Sequence, residues 1–503
     1  MAVRIAFGGE RGNNTMNIFA RLAGAIRRVF GRMIPYRNIE QAENIQTPLS
    51  DTMTSALGLW YDMYMDKSPW KKNGKDGEET VKTMNLPALI CSEVARQVVL
   101  EMNVTITGKK EDAEGNAIPN ERSEYLAEEY KKLRDVLRLK LEQGCAAGGM
   151  VIKPYPNTDD GHIYFDYAMD WSIYPMAFDD DGYLADVIIP DTFKEGKEYY
   201  TRLERHKVVK DGVEITQRAF KSTTPESLGQ EVSLESVERW AALQPSTTVK
   251  NVDGALFGWY KVANANNIDL DCPLGASVFA KATDTIKEAD TQYSRLLWEY
   301  EGSELAIDVD PTALMPKANG QKGYEVPKLD KRLFRGVDTG ADDTYSVFSP
   351  SIRDASLING LNQILMKIED LVGLARGTIS DANVDARTAT ELKIVKQRSY
   401  ATISDNQKAL ERCLRDVIRV MDKYATLYKL APEGDYEVSF EWDDSIITDM
   451  SEQLTQRLLL MNNGVISREE LRQWYFGETE AQAKEAIANI IAEAMANMPQ
   501  LAE

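Results

Sequence analysis

The chain is poor in the residues from which catalytic centres are usually built. Among 503 residues there are two histidines, His162 and His206. One stands beside and one inside a stretch that alternates as a strand, and neither has a partner at metal-ligand spacing, so both read as structural. The four cysteines, Cys91, Cys145, Cys272 and Cys413, are scattered with no close pair. That excludes a disulfide framework and points to a reducing compartment. A phosphate-binding loop, a dinucleotide-binding glycine pattern, a nucleophile elbow and a C-x-x-C pair are all missing. Asp179-Asp180-Asp181-Gly182 begins like a calcium loop, but Tyr183 takes the fifth position and the remaining ligands do not follow. A solvated hairpin turn accounts for it. Among 79 acidic residues some carboxylates will always stand in pairs, so acid–base chemistry gains no support from pairing alone. The expectation is no catalytic residue, no metal and no cofactor.

Long apolar runs are missing too. No stretch reaches the roughly 18 apolar residues a membrane helix needs. Arg21, Arg27 and Arg28 interrupt the apolar stretch near the N-terminus, which argues against a secretory signal core. Basic side chains are outnumbered 59 to 79, for a net charge of −20. Such acidity suits plain solubility. It also excludes a tight grip on nucleic acid, which needs lysines and arginines to displace counterions from phosphates.

What the chain does have is organised around Ser277 to about Leu430. Val278, Ala282, Ile286, Ala289, Tyr293, Leu296, Leu297 and Tyr300 recur at helical steps and predict a first helix stopping near Gly302. Ser349 and Pro350 predict the N-cap and first residue of a second helix. Its apolar residues Leu357, Leu361, Ile364, Ile368 and Leu371 step as a packing seam, with Gly360 and Gly373 weakening it. Between the two, Ala306 to Phe348 alternates short apolar runs with Pro311, Pro316, Gly320, Gly323 and Pro327, the pattern of a small strand-and-turn module. Ala375 to Thr388 reads as a solvated loop. Thr390 then opens a helix of roughly 60 Å at ~1.5 Å per residue. Its apolar face is thin between Lys396 and Asp405, predicting a bend or an exposed middle.

The rest falls on either side. Residues 1–37 carry an apolar stripe (Ile18, Phe19, Leu22, Ile26, Val29, Phe30) against arginines, an amphipathic arm that suits docking on a partner protein or on its own domain better than on a membrane surface, so no membrane partner is expected. Trp60, Tyr61, Met63, Tyr64 and Trp70 form an aromatic cluster. Helices are expected over Leu86–Met102 and Ser123–Gly144, the second ended by Gly144, Gly148 and Gly149, with a strand Val104–Thr107 and a charged loop between. From Met150 the period becomes two: strands over 150–153, 163–167, 171–178 and 183–189, then a hairpin joining 199–209 to 213–220 across Asp211-Gly212. Ser233 to Lys250 reads as loop, and Phe257–Val262 as a strand. Beyond the long helix come a strand at Tyr436–Trp442, a helix over 451–461, a turn at Asn462-Asn463-Gly464, a capping box from Ser467 and Glu470, and a last helix over 479–498.

The order of these segments resembles the portal proteins of tailed bacteriophages, especially long-tailed phages and prophages of Gram-positive hosts. Trp60-Tyr61 through Pro69-Trp70, Asn85-Leu86-Pro87 leading to Ser92-Glu93-Val94-Ala95, Asn264 to Asn267 followed by Leu274-Gly275, and Gly464-Val465-Ile466-Ser467 carry the resemblance, which covers the chain from about residue 40.

What the resemblance implies is an α+β multidomain portal fold. Its parts would be an N-terminal arm (1–40), a mixed α/β wing (41–276), stem helices (277–305 and 350–374), and a small α/β clip inserted between them (306–349). A tunnel loop (375–389), a long kinked helix with a returning wing strand (390–449) and a helical crown (450–503) would complete it. It implies a non-enzymatic homo-oligomeric ring of about twelve subunits at one capsid vertex, through which double-stranded DNA enters and leaves. The terminase large subunit, which would supply ATP hydrolysis, the head-tail adaptor, and the major capsid and scaffolding proteins are the implied partners. The implied location is the virion, after assembly in the host cytoplasm. Arg376, Thr378, Ser380, Asn383 and Arg387 would then be candidates for weak, sequence-blind phosphate contacts in the tunnel, or else part of a plain loop. Lys331, Arg332, Phe334 and Arg335 would be candidates for partner contact in the clip, or an ordinary exposed turn. Two rivals remain open: another phage structural subunit of tail or baseplate, and an acidic soluble hydrolase.

Overall fold

A computed structural model describes residues 34–71, 81–100, 102–110, 117–309, 315–316, 324–325, 334–336, 345–381, 389–442 and 450–496. The first 33 residues of the arm expected at the N-terminus lie outside them. From Ile34 the chain turns inward: helix α1 (Tyr36–Glu43) buries Tyr36 and Ile39. Helix α2 (Asp51–Tyr64) starts on a Ser50 side-chain cap and buries Met53, Leu57, Trp60 and Met63 at helical spacing. Helix α3 (Leu86–Val99) carries its proline at the first turn, where no N–H is missed.

Strand β1 (Met102–Gly108) leads into α4 (Glu121–Ala147), which opens on an Asn120–Ser123 capping box and ends at left-handed Gly148. Gly144, expected as a stop, lies inside this helix. The absence of a side chain there admits Met150, whose Cγ would be 3.1 Å from a Cβ.

Strands β2 (Gly149–Asn157) and β3 (His162–Met169) follow, then β4 (Tyr174–Phe178), β5 (Leu184–Glu195), β6 (Glu198–Val209), β7 (Gly212–Ser222), β8 (Gln230–Val232), β9 (Ser246–Lys250) and β10 (Gly258–Lys261). They form an antiparallel three-stranded sheet, β10-β2-β3, and the six-stranded meander β4-β5-β6-β7-β8 with β9 also on β7. Both expected hairpins are present, the first turning at Asp179–Gly182. Two expectations fail. Trp171 belongs to a 3-10 turn, Asp170–Ser172, because the Asp170 carboxylate is drawn inward to the Trp259 indole N–H (3.1 Å). The stretch expected as loop, 233–250, buries Trp240 and contributes β9, whose pairing is supplied by the edge of β7 rather than by its own pattern.

Helix α5 (Thr283–Gly302) begins after a 3-10 turn at Ala280–Ala282, six residues later than expected, and stops at Gly302 as predicted. Between α5 and α6 (Asp354–Val372) stand β11 (Ala306–Val309), β12 (Met315–Pro316), β13 (Tyr324–Glu325), β14 (Phe334–Gly336) and β15 (Tyr345–Phe348). They form the sheets β14-β11-β15 and β12-β13, and no helix occurs among the described residues of this insert. Ser349 and Pro350 do not cap α6. The helix starts at Asp354 because Arg353 is held by the Glu299 carboxylate of α5 (2.8 Å), which sets where the two helices meet. The buried seam of α6 is Leu361, Leu365, Ile368 and Val372, with Leu357, Ile364 and Leu371 at its flank. The buried stripe is therefore rotated from the expected one.

Helix α7 (Ala389–Leu427) is unbroken over 39 residues. Its thin middle is mixed: Ala401 and Asp405 are exposed, as expected, while Ile403 is buried. Ser399 and Asn406 are buried and bonded, Ser399 Oγ to Gln97 of α3 (3.2 Å) and Asn406 Oδ1 to the Tyr260 hydroxyl (2.8 Å). Farther along, Leu410, Cys413, Leu414, Val417, Ile418 and Met421 enter the core. Gly258 of β10 lies against this helix so closely that a Cβ would be 2.3 Å from the Cys413 carbonyl. Strand β16 (Tyr436–Trp442) returns to pair antiparallel with β1, and α8 (Met450–Asn462), α9 (Arg468–Phe476) and α10 (Glu480–Ala496) close the chain. The Ser467–Glu470 capping box forms as expected. One continuous hydrophobic cluster runs from Ile34 to Met421 and joins α1–α7 to the three-stranded sheet and the inner face of the meander.

Candidate functional site

The last turn of α6 carries two adjacent acids, Glu369 and Asp370, at the end of the helix where its dipole disfavours negative charge. Each is matched by donors from the chain that follows. Glu369, with no exposed surface, accepts from the backbone N–H of Gly377 (3.2 Å), Ile379 (2.6 Å) and Ser380 (2.9 Å) and from the Ser380 hydroxyl (2.7 Å). Asp370 accepts from Arg376 through two nitrogens, at 3.2 and 2.7 Å.

The turn that allows this is made by Gly373, left-handed at φ 77°, with the Leu374 N–H returning to the Glu369 carbonyl (2.9 Å). No larger residue would serve, since a Cβ on Gly373 would lie 2.3 Å from the Thr402 hydroxyl of α7. The Asp381 N–H then reaches Asn362 Oδ1 (2.8 Å), ten residues before the helix end. At ~1.5 Å per residue the chain has folded back along α6 by roughly 15 Å.

These bonds place the residues singled out from sequence. Arg376, Thr378 and Ser380 come together in this turn. The Arg376 guanidinium is half exposed, and its hydrogen bond to Asp370 raises its pKa further. The Thr378 hydroxyl donates to the Ala375 carbonyl (2.5 Å), and Ser380 is buried against Glu369. Residues 375–381 thus form a compact turn rather than the solvated loop expected, because one carboxylate gathers four donors. Asn383, Arg387, Lys331 and Arg332 lie outside the described residues. Phe334 and Arg335 stand in β14, in parallel register with Ile307 and Asp308 of β11. Sequence reasoning passed over Glu369 and Asn362. The available signal was the acidic pair at a helix C-terminus, which is unfavourable unless donors converge on it.

A second polar cluster is built into the meander. Glu204 of β6 bridges Lys153 (2.6 Å), Arg202 (3.0 Å) and His206 (2.7 Å). Burial alone would raise its pKa, but Lys153 and Arg202 beside it hold the carboxyl well below the usual range. Lys153, Arg202 and Glu204 of this cluster line a crevice of about 400 Å³ together with Tyr61, Tyr167, Trp171 and Tyr174. The second histidine, His162, pairs with Glu129 (2.7 Å). Among the described residues no three His, Cys, Asp or Glu side chains are grouped to hold a metal ion, and no helix is long and apolar enough to cross a membrane.

Comparison with solved structures finds weak likenesses. One is to a chain of the neck of an empty GTA particle, C6 symmetry: 11% identity over 82% of this chain and 92% of that one, TM-score 0.33. Another is to a chain of the neck of a native GTA particle, C12 symmetry: 10% identity over 86% and 96%, TM-score 0.30. No curated protein matches the chain. The decisive likeness is one of sequence: the family described as "Phage portal protein, SPP1 Gp6-like" matches residues 52–497. That match runs from the second residue of α2 past the end of α10 and takes in the helix pair, the inserted strands, the turn on Glu369 and the long helix, so the chain belongs to the SPP1 Gp6-like family of phage portal proteins.

Proposed function

We propose that the chain is the subunit of a closed ring of about twelve copies at a single capsid vertex, the channel through which double-stranded DNA is packaged and later ejected. The observation that carries this reading is the uninterrupted order of α5, inserted strands, α6, the Glu369 turn and the 39-residue α7 inside a portal-family match. In this reading 41–276 is the wing, α5 and α6 are the stem, and 306–349 is the clip, where the terminase and then the head-tail adaptor dock. Residues 375–389 line the tunnel, and 450–503 form the crown inside the capsid, near scaffolding and coat subunits. Residues 1–40 are the arm.

Charge supports a conduit rather than a clamp. Twelve copies of a −20 chain sum to about −240, a field that repels phosphates and keeps contacts weak. Arg376 is the described basic residue of the tunnel segment, available for sequence-blind phosphate contact. The ring hydrolyses nothing in this reading; a separate terminase does so. It acts in the virion after assembly in the host cytoplasm.

Exposed apolar side chains, Trp298 of α5 at 67% and Ile352 just before α6 at 44%, suit contact between copies. Negative-stain electron microscopy with mass measurement tests the reading. Closed rings with a central hole are expected, and a monomer or dimer at every concentration and salt would refute it.

A further inference from the structure

Four donors from residues 377–380 meet on one buried carboxylate, and this convergence asks more than packing does. A leucine or methionine at position 369 would fill the same space, yet would take the shared acceptor away from three backbone N–H groups and a hydroxyl, leaving the Gly377 N–H only Ser380 Oγ (3.1 Å). Charge-assisted bonds to an ionised carboxylate are the strong kind, and three of the donors are main chain, so they fix backbone rather than side-chain position. Gly377, left-handed at φ 92°, turns the main chain so that its own N–H and those of Ile379 and Ser380 face the same oxygens. At either end the turn is held again: Gly373 against Thr402, and Asp381 on Asn362.

We propose that Glu369 is the positioning residue of the channel lining. Its carboxylate clasps 377–381 as a strap folded back on α6, so that Arg376 and the backbone around it move only with that helix. The inference rests on the portal reading of the preceding subsection. On that reading, a lining set by a rigid strap presents DNA with the same weak contact points at every subunit, whereas a loose loop would present a different surface at each.

The experiment compares full-length wild-type rings with rings of Ser380→Ala, Glu369→Gln and Glu369→Ala. Assembly is checked by particle mass, amide exchange is followed at Gly377, Ile379 and Ser380, and DNA packaging is scored in procapsids built with each variant. Protection of the three amides should drop by roughly tenfold or more in Glu369→Ala, with Glu369→Gln and Ser380→Ala between it and wild type. Rings should stay intact while packaging is lost in the same order. Unchanged protection in Glu369→Ala overturns the clasp. Lost protection with full packaging overturns the positioning role. If Glu369→Ala fails to assemble, the ordering of Ser380→Ala and Glu369→Gln decides the matter. A wild-type chain that forms no ring refutes the portal reading instead, and the amide exchange still reports on the clasp.

Discussion

Asp170 should make the protein less stable as pH rises through neutrality. Its carboxyl is fully buried where the 3-10 turn after β3 meets β10, and one oxygen, Oδ2, has no hydrogen-bond partner. Burial pushes its pKa up to about 7, against the Trp259 N–H and the Lys261 ammonium, which favour the charged form. The Cys272 thiol and the Tyr36 hydroxyl also face it, and burial pushes both of their pKa values upward, so they stay neutral across this range. In the unfolded chain the group titrates near 3.8. The folded state therefore holds the proton more tightly. The stability this confers is complete below about pH 4, falls as the unfolded chain ionises first, and is gone above pH 7.

Each pH unit in that window is worth about 1.4 kcal/mol, so the loss between pH 5 and 8 is roughly 2–3 kcal/mol. Asp170→Asn removes the titration and keeps an oxygen for Trp259. Urea unfolding of wild type and variant at pH 5, 6, 7 and 8 isolates the effect, because every other group is common to both. The variant should gain on wild type by that amount across the range. Parallel curves would refute the burial argument and place Asp170 in contact with solvent or with a donor.

Gly149→Ala should destabilise by about 2 kcal/mol or more, since the new Cβ would sit 2.4 Å from Asp170 Oδ2 and 2.7 Å from the Tyr260 carbonyl, neither of which can retreat; a urea midpoint equal to wild type would show that the β2–β10 contact yields. Arg122, 1% exposed, donates to the carbonyls of Pro432 (2.8 Å), Ala431 (3.0 Å) and Asp422 (3.0 Å), tying the start of α4 to the turn after α7. A lysine cannot span three acceptors in a fixed fork, so Arg122→Lys should cost roughly 2–4 kcal/mol and speed amide exchange in β16, which pairs with β1 beside it. Unchanged exchange there would mean that the turn is held by other contacts.

The elements most legible in sequence were those whose signal is local. Strand β16 has its predicted bounds, the Ser467–Glu470 box forms, and the hairpins turn at their Asp-Gly pairs, because each depends on a few neighbouring residues. What went unread depends on partners far along the chain. Strand β9 exists because β7 offers it an edge, and α6 begins at Asp354 because Glu299 claims Arg353. Polar residues misled most: Ser399 and Ser380 read as solvent-facing and are buried, each with a specific partner. A periodicity argument equates polarity with exposure, and that equation fails where a polar atom is needed to hold backbone in place. Both stretches where it failed flank Gly373, the point at which α6, the strap and α7 meet. A core built only from apolar side chains would tolerate small shifts between these elements. Directional bonds from Glu369, Asn362, Ser399 and Asn406 do not, which is the property a subunit needs if many copies must present one uniform lining.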